Sequence, residues 1–301
     1  MEVSNPDRVV FPESGVTKGE VVAYYEDVAE PMMPFVADRA LTVERFPKGT
    51  AEKGFMQKNA PDHFSDELID RHEVPKEGGG TTVYPVVKAP KTIPAFANLG
   101  VITFHVPPTT VSDDDLSDWI IWDLDPSSGD FEMARQAAHR LRDVLRGFAI
   151  ETVVMTSGSN GYHLRARLEP AIPANEAAVI ARGAAALGVA AHNDLMTLAF
   201  RKKEREGRVF VDWLRNAPYS TSVVPWSLRA RPGAPVAVPI EWDELDQVDP
   251  NGIQMPDVAS RLEADPWRGS APLDLRGTAD EVGSALDDAG IELEPFDRFR
   301  S

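Results

Sequence analysis

The residues with the clearest chemical potential in this sequence are three aspartates in two apolar segments. Asp123 and Asp125 end the segment Trp119 to Pro126, and Asp212 ends a second apolar segment downstream. Both segments are predicted to be buried strands, in which side chains at positions i and i+2 share a face. Carboxylates crowded on a buried face need a compensating cation, so the three aspartates predict a magnesium or manganese site. Taken alone, the first pair is more typical of a turn at Pro126; the second aspartate-bearing strand favours metal binding.

Two further segments carry groups suited to an anion. The turn from Thr156 to Leu164 is rich in glycine and small polar residues, with Ser157 near its start and His163 near its end. Its N–H groups and hydroxyls suit a phosphate. Arg215 and Arg229 follow the last aspartate, and arginine holds phosphate oxygens in a bidentate fork. Each feature has a plain alternative, an ordinary hairpin loop or a pair of solvated surface arginines.

A histidine and a basic segment are weaker candidates. His105 ends an apolar, strand-like segment, where a lone histidine is more often structural than catalytic. The segment from Arg45 to Asn59 interleaves cations with apolar and aromatic groups, a pattern that can hold a nucleic-acid backbone and stack a base. A solvated loop with one core aromatic residue fits this segment at least as well.

The composition restricts the class of protein. The 301 residues include no cysteine, which excludes disulfides, thiolate metal sites and a cysteine nucleophile. No apolar segment is long enough to span a membrane, so no membrane partner is expected and a cytoplasmic location follows by default. The formal net charge is −17, which argues against nucleic acid until its distribution is considered. Residues 241–301 hold 16 acidic residues against 5 arginines, whereas residues 39–58 and 201–231 are net positive, and local patches decide phosphate binding.

The elements that must position these residues follow one another irregularly. Thr17 to Glu20 form a capping box before a helix predicted over 21–29, which Pro31 and Pro34 are expected to end. Asp130 is predicted to cap a helix that ends near Gly147. Further predictions are strands over 41–46, 101–106, 149–156, 162–168, 209–214 and 223–229, a helix over 176–186, and two short helices in the last 60 residues. The pattern indicates an α+β fold with two mixed or antiparallel sheets and flanking helices. No GxGxxG or Walker-type loop occurs in the sequence, so side chains must do much of the binding of any nucleotide.

Several segments, in order along the chain, resemble one family. They are Asn5–Pro12, Thr17–Glu20 with Tyr24 and Tyr25, Leu41–Pro47, Gly54–Asn59, Asp123–Pro126, Thr156–His163, Val211–Asn216, Ser227–Val236 and Glu241–Leu245. Together they resemble the polymerase domain of bacterial DNA ligase D, within the archaeo-eukaryotic primase superfamily, over nearly the whole chain. The resemblance implies one primase-like domain over 1–301, with an N-terminal DNA-binding subregion over roughly 1–110, a catalytic core over 111–235 and an acidic C-terminal extension over 236–301.

The resemblance also implies an activity and its partners. The expected enzyme is a template-directed nucleotidyltransferase that adds ribo- or deoxyribonucleotides to a primer 3′ end at DNA gaps or breaks. It would use two divalent cations, Mn²⁺ or Mg²⁺. Its partners would be an NTP or dNTP, primer–template or gapped DNA with a 5′-phosphate, and a ligase and end-joining factors.

Site roles are carried over from the family motif by motif. The catalytic metal ligands would be Asp123, Asp125 and Asp212. The nucleotide would be bound by Ser157, His163, Arg215 and Arg229, with His105 near the sugar. The DNA would be contacted by Lys18, Arg45, Phe55 and Lys58.

Two departures from the family pattern matter. Asn160 stands where the family usually has lysine, which removes one triphosphate cation, and Met56 stands in place of the second residue of a frequent phenylalanine pair. A triphosphate and three aspartates bring about −7 against +4 from two metals. Arg215, Arg229 and a protonated His163 would balance the remainder, as phosphoryl transfer requires.

One metal, with Asp212 as its ligand, is expected to activate the primer 3′-hydroxyl. The other metal is expected to stabilise the leaving pyrophosphate. The alternatives are another DxD metal enzyme, such as a nuclease, a phosphoesterase or a glycosyltransferase, and a catalytically weak DNA-end-binding module. The sequence contains no ligase segment, so a stand-alone polymerase is expected.

Overall fold

A computed structural model describes residues 2–76, 78–264, 266–267 and 269–294. The chain forms two compact units, each built from three segments. The first unit comprises Met1–Pro107, Thr221–Val238 and Asn251–Asp265, and the second comprises Pro108–Ser220, Pro239–Pro250 and Pro266–Ser301. The predicted boundary at about 110 lies near the first passage between units. The predicted acidic extension contributes to both units, and its residues 265, 268 and 295–301 lie outside the described residues.

The described chain contains α-helices, β-strands and 3₁₀-helices in an irregular order. The α-helices are α1 (Lys18–Asp27), α2 (Ala29–Val36), α3 (Thr92–Asn98), α4 (Phe131–Arg146), α5 (Ala174–Ala191) and α6 (Thr278–Asp288). The strands are β1 (Val9–Phe11), β2 (Val16–Thr17), β3 (Thr42–Arg45), β4 (Phe55–Gln57), β5 (Ile69–Pro75), β6 (Thr81–Val87), β7 (Val101–Val106), β8 (Leu116–Pro126), β9 (Val153–Thr156), β10 (Tyr162–Pro173), β11 (Met196–Thr197), β12 (Val209–Asp212), β13 (Ser222–Val223) and β14 (Pro239–Ile240). Three 3₁₀-helices span Lys202–Glu204, Leu214–Asn216 and Met255–Arg261.

The second unit is organised around a six-stranded sheet in the order β11-β12-β8-β10-β9-β14. All neighbouring strands are antiparallel except the β11–β12 pair, which is parallel. One face of the sheet packs on helices: the buried Trp122 of β8 donates from its indole nitrogen to the carbonyl of Ala181 in α5 at 2.9 Å. Because side chains alternate along a strand, Asp123 and Asp125 project from the opposite face.

The helix that follows the aspartate pair starts where the sequence predicts. Asp130 accepts backbone N–H groups of Glu132 and Met133, which satisfies two of the orphan donors at the start of α4. Buried Ala134, Ala138, Leu141 and Leu145 form its apolar stripe, and Gly147 caps it. In α5, Gly183 allows α6 to pack closely, because a Cβ there would lie 2.3 Å from a methyl of Val282. The acidic helix α6 is therefore part of the packed second unit.

The first unit contains a four-stranded antiparallel sheet in the order β13-β7-β3-β4 and the hairpin β5–β6. Its core includes the buried rings of Tyr25, Phe96 and Phe104, which meet edge to face. The Tyr25 hydroxyl donates to the carbonyl of Ile102 and accepts the N–H of Leu228, so this buried polar group is satisfied.

The α+β prediction is confirmed, and the local errors have identifiable causes. Pro31 and Pro34 do not end the helical region, because α2 contains both; the fixed φ of proline is helical, and each removes only one donor. The strand predicted from residue 149 begins at Val153, after Ala149 adopts a φ of +56°. The strand predicted over 223–229 is wrong beyond Val223, because a proline follows and Trp226 has a φ of +69°.

In the described residues, no helix combines the length and apolar character that crossing a membrane requires.

Candidate active site

Strand pairing brings the three aspartates together. Asp212 of β12 lies directly opposite Asp123 of β8 in antiparallel register, and Asp125 is two residues further along β8. Directly opposed residues share a face of the sheet, as do residues at i and i+2. The side chains of Asp123 and Asp212 are 12% and 11% exposed. The sheet therefore carries two buried carboxylates and the half-buried Asp125 on the face away from α4 and α5.

One arginine holds two of these carboxylates. Nε of Arg215 donates to Oδ2 of Asp123 at 3.1 Å, and its Nη2 lies 2.9 Å from Oδ2 of Asp212. The other oxygen of Asp212 accepts the N–H of Leu214 at 3.0 Å. Although burial lowers the pKa of Arg215, the surrounding carboxylates outweigh it and raise the pKa overall. The guanidinium is thus a fixed positive charge between the two strands.

Asn216 is a positioning residue that was not among the predicted site residues. Its side-chain carbonyl accepts the N–H of Ile121 at 2.8 Å, and its amide donates to the carbonyls of Ile121 and Trp213 at 2.7 and 2.8 Å. The buried amide therefore pairs with β8 as a strand residue would, just beyond the last β12 pair. This fixes the 3₁₀ turn Leu214–Asn216, which carries Arg215. Its position immediately after that arginine was the available sequence signal.

His163 lies on the other side of the central aspartate. It is directly opposite Asp123 in the β10–β8 register, and its Nε2 lies 3.3 Å from Oδ1 of Asp123. Burial lowers the pKa of His163, against the opposing effect of Asp123. The protonated state expected for His163 beside a triphosphate stays a prediction. The contact made is with a carboxylate, and the predicted triphosphate contact stays a prediction.

The pKa values of two of the carboxylates, Asp212 and Asp125, are raised. Burial raises the pKa of Asp212 to about 6, with Asp123 adding to the shift and Arg215 opposing it. Burial and the charge of Asp123 also raise the pKa of Asp125, while Arg205, Arg215 and Lys202 act in the opposite direction. Two carboxylates disfavoured as anions, next to Asp123, fit a divalent cation, which would stabilise their charges.

The carboxylates, as placed in the structure, do not form a complete metal-coordination shell. Among the described residues, no group of three or more His, Asp or Glu side chains is disposed to hold one metal ion. Arg215 lies where it neutralises both Asp123 and Asp212. A metal that uses these carboxylates must therefore compete with its guanidinium.

The glycine-rich turn is organised by Ser157. The Ser157 hydroxyl oxygen accepts the N–H groups of Ser159 and Gly161, both at 3.2 Å, so these two donors are used within the turn. Gly161 cannot carry a side chain without local movement, because a Cβ would lie 1.7 Å from the carbonyl oxygen of Leu124. The turn is consequently fixed against β8, one residue from Asp123. Asn160, in the same turn, is half-buried and uncharged.

Two predicted nucleotide-binding residues belong to the first unit. His105 lies on β7, opposite Thr42 and Val223 in the neighbouring strands. Arg229 follows the buried segment after β13, and its backbone N–H donates to the carbonyl of Pro235 at 2.8 Å. Both side chains are half-buried. Their predicted roles toward a nucleotide stay predictions.

The predicted DNA-binding residues lie in the first unit, in two places. Lys18 is buried, and its Nζ donates to the carbonyl and hydroxyl of Ser4 at 2.7 and 2.6 Å. Burial lowers the pKa of Lys18, and the neighbouring Arg8 lowers it further. Within the described residues, the buried Nε of Arg8 has no hydrogen-bond partner. Arg8 was not among the predicted residues, although it lies within the first segment of the family resemblance.

The second place is the edge strand β4. Phe55 is 49% exposed, and the guanidinium of Arg45 lies 5.6 Å from its ring centroid. Arg45 is also fixed by hydrogen bonds to the carbonyl of Leu99 and the side chain of Gln57. Met56 and Lys58 are exposed beside them. The strand therefore presents an aromatic face with cations next to it.

Comparison with solved structures defines the class of protein. The chain aligns with the polymerase domain of Mycobacterium tuberculosis Ligase D in complex with DNA, with a TM-score of 0.81 and 30% identity over 93% of this chain and 98% of that one. This is the class of primase-like polymerase domains. The family model described as the LigD primase-polymerase domain matches residues 17–267. The chain belongs to the LigD primase-polymerase family, as the sequence resemblance predicted.

Curated relatives agree with this assignment. The multifunctional non-homologous end joining protein LigD of Mycolicibacterium smegmatis is 33% identical over 266 residues, which cover 87% of this chain and 35% of that protein. The bifunctional non-homologous end joining protein LigD of Bacillus subtilis is 30% identical over 247 residues, covering 81% of this chain and 39% of that protein. The chain thus spans little more than a third of the relatives that it matches.

Proposed function

We propose that this chain is a template-directed nucleotidyltransferase that adds ribo- or deoxyribonucleotides to a primer 3′ end at DNA gaps or breaks. One observation carries the proposal: Asp123, Asp125 and Asp212 share one sheet face with Arg215, in a member of a polymerase family. Hydrolytic DxD enzymes have less need of an arginine fixed among the carboxylates. The repair process named in the relatives, end joining, is the proposed context.

The three aspartates would hold two divalent cations, Mn²⁺ or Mg²⁺, which supply charge neutralisation at the transferred phosphoryl group and its two oxygen partners. Asp212 stands on its own strand and is the proposed ligand on the side of the primer hydroxyl. His163 orients Asp123 through Nε2, and Asn216 fixes the turn of Arg215. Once released from a carboxylate by a metal, Arg215 can direct its fork at phosphate oxygens.

The Ser157 turn is the proposed support for the triphosphate. The N–H groups of Ser159 and Gly161 donate to the Ser157 hydroxyl and hold the turn in shape. The turn is therefore preorganised before a ligand binds. His105 and Arg229 are proposed to bind the nucleotide on the family resemblance.

The DNA contacts are proposed from the first unit. Arg8 and Lys18 place two cations close together, as a 5′-phosphate at a gap would require, since a phosphate carries about two negative charges. Phe55, with Arg45 behind it and Lys58 beside it, is suited to stack a base next to a backbone. The neighbour with a TM-score of 0.81 is itself in complex with DNA, which supports a DNA substrate.

The test is extension of a labelled primer on a gapped template with Mn²⁺ or Mg²⁺ and single NTPs or dNTPs. Asp123→Ala and Asp212→Ala should abolish addition, whereas Asp194→Ala, at an exposed position of the same unit, should not. Wild-type protein that adds nothing, or aspartate variants that stay fully active, would contradict the proposal. Shortening of the primer would indicate a nuclease, and binding without synthesis would indicate an end-binding module.

The phosphate contact has its own assay. Gapped DNA with a 5′-phosphate should bind more tightly than the same DNA with a 5′-hydroxyl, and Arg8→Met should remove this difference. The hydroxyl-ended DNA is the matched control, because general loss of binding would lower both affinities equally.

A further inference from the structure

A buried arginine lies on the same sheet face as the carboxylates. Arg165 of β10 is 3% exposed and stands directly opposite Ile121 of β8 and Val153 of β9. It is two residues beyond His163, which is opposite Asp123 in the same register. Residues at i and i+2 of a strand share a face and are about 7 Å apart, within reach of a long side chain. Arg165 therefore belongs to the row next to His163, Asp123 and Asp212.

A buried guanidinium acts strongly on charges near it, because little solvent screens it. The buried row around Asp123 has its own cation in Arg215, and Arg165 adds a second on the same face. The charge lies near the site, because Arg165 is two residues from His163 on the same face, and Nε2 of His163 lies 3.3 Å from Oδ1 of Asp123.

The charge balance of the proposed reaction requires a further positive charge near the triphosphate. A nucleoside triphosphate brings about −4 in addition to the three aspartates, against about +4 from two metals. Asn160 contributes no charge in the neighbouring turn. The remainder is about −3, and Arg215 and Arg229, in the roles proposed above, supply two positive charges, which leaves one cation to be found.

We propose that Arg165 is a phosphate-binding residue of the active site, which holds the outer phosphates of the nucleoside triphosphate and supplies the cation that the turn at Asn160 lacks. This inference rests on the proposed function, because the bound nucleotide is its ligand. A guanidinium on a rigid central strand gives a bidentate fork with little loss of side-chain freedom on binding.

Direct nucleotide binding tests this separately from catalysis. Equilibrium affinities for ATP and AMP are measured with magnesium for wild type, Arg165→Met and the control Arg167→Met. Arg167 follows by two residues on the same strand and face but is exposed. Arg165→Met should weaken ATP binding by about tenfold, the value of one charge-assisted contact, and leave AMP within about twofold. Arg167→Met should change neither affinity.

A positive charge introduced at position 160 of the turn provides a second test. Asn160→Lys added to Arg165→Met should recover most of the ATP affinity, since a lysine there restores a cation near the same phosphates. Arg165→Lys, which keeps charge and bulk, should lose ATP affinity by a few fold without affecting AMP, and it serves if the methionine variant does not fold.

Three results would overturn the assignment: equal ATP affinity in wild type and Arg165→Met, parallel loss of ATP and AMP affinity, or a wild type that binds no triphosphate. A wild type that binds ATP but extends no primer would instead remove the proposed polymerase function, while the affinities of the variants still judge Arg165.

Discussion

Nε of Arg215 lies 3.1 Å from Oδ2 of Asp123, and the same guanidinium reaches across the strand pair to Asp212 at 2.9 Å. The two contacts use two different nitrogen atoms of the guanidinium, whereas a lysine has a single nitrogen to place between the carboxylates. Arg215→Lys should therefore lower kcat/KM for nucleotide addition by roughly 100-fold, in the range for removing one preorganised donor to a transition state. Steady-state primer extension measures this.

The control for that variant is Arg208→Lys, in the same unit, whose side chain pairs with the exposed Glu206. It should retain nearly full activity. An Arg215→Lys enzyme with wild-type kcat/KM would mean that the arginine only stabilises the metal-free protein.

The same ion pairs make a prediction about metal affinity. Because Arg215 neutralises Asp123 and Asp212, it should compete with a cation for their oxygens. Arg215→Gln should bind Mn²⁺ a few fold more tightly than wild type, although it is a poorer enzyme. Calorimetric titration of Mn²⁺ into protein stripped with chelator gives the affinity without requiring turnover.

The carboxylate variant completes that comparison. Asp123→Asn should weaken Mn²⁺ binding by at least tenfold, as removal of a ligand charge requires. Equal Mn²⁺ affinity in wild type and Asp123→Asn would place the metal elsewhere.

Asp212 should destabilise the metal-free fold at neutral pH. Its folded-state pKa of about 6 lies above the ordinary value of 3.8, so the folded protein binds this proton more tightly than the unfolded chain does. The resulting stability is fully present below about pH 4 and is lost as the pH rises through 6. At pH 7.5, Asp212→Asn should raise the free energy of unfolding by about 1 to 3 kcal/mol, while abolishing activity.

Urea unfolding of chelator-treated protein across pH 4 to 8 measures this effect. The difference between variant and wild type should grow with pH, because only the wild type loses the contribution of the protonated carboxyl. The hydrogen bond from Leu214 is kept by an asparagine oxygen, which makes the variant a conservative one. A variant less stable than wild type at pH 7.5 would show that the ion pair with Arg215 outweighs burial.

The sequence predicted the parts of the site that depend on local pattern. Alternation along the β8 segment placed Asp123 and Asp125 on one face, and the second apolar segment supplied Asp212. Pattern could not reveal that His163 would contact Asp123 or that its pKa would be lowered, because both follow from cross-strand register and burial. Register is set by long-range pairing, which a single strand does not specify.

The C-terminal region shows the same limit. Its acidic composition left open whether the extension packs on the core, whereas the structure pairs β14 with β9 and packs α6 on α5. Segment 241–250 is also held through buried or partly buried contacts, such as the Trp242 indole donating to the carbonyl of Thr152. Charge content reports on the exposed face of such segments, whereas a few apolar residues decide where they pack.

The contact between Gly161 and β8 gives the most direct test of how the nucleotide turn is positioned. An alanine Cβ would lie 1.7 Å from the Leu124 carbonyl oxygen, so β10 must move away from β8 where His163 faces Asp123. Gly161→Ala should cost about 3 kcal/mol of unfolding free energy and weaken ATP binding. Gly283→Ala is the matched control: its Cβ meets nothing within 4 Å in α6, and alanine should stabilise that helix by about 0.5 to 1 kcal/mol. Denaturant unfolding measures the free energy of unfolding of both variants. A Gly161→Ala protein as stable as wild type would mean that the turn is not fixed against β8.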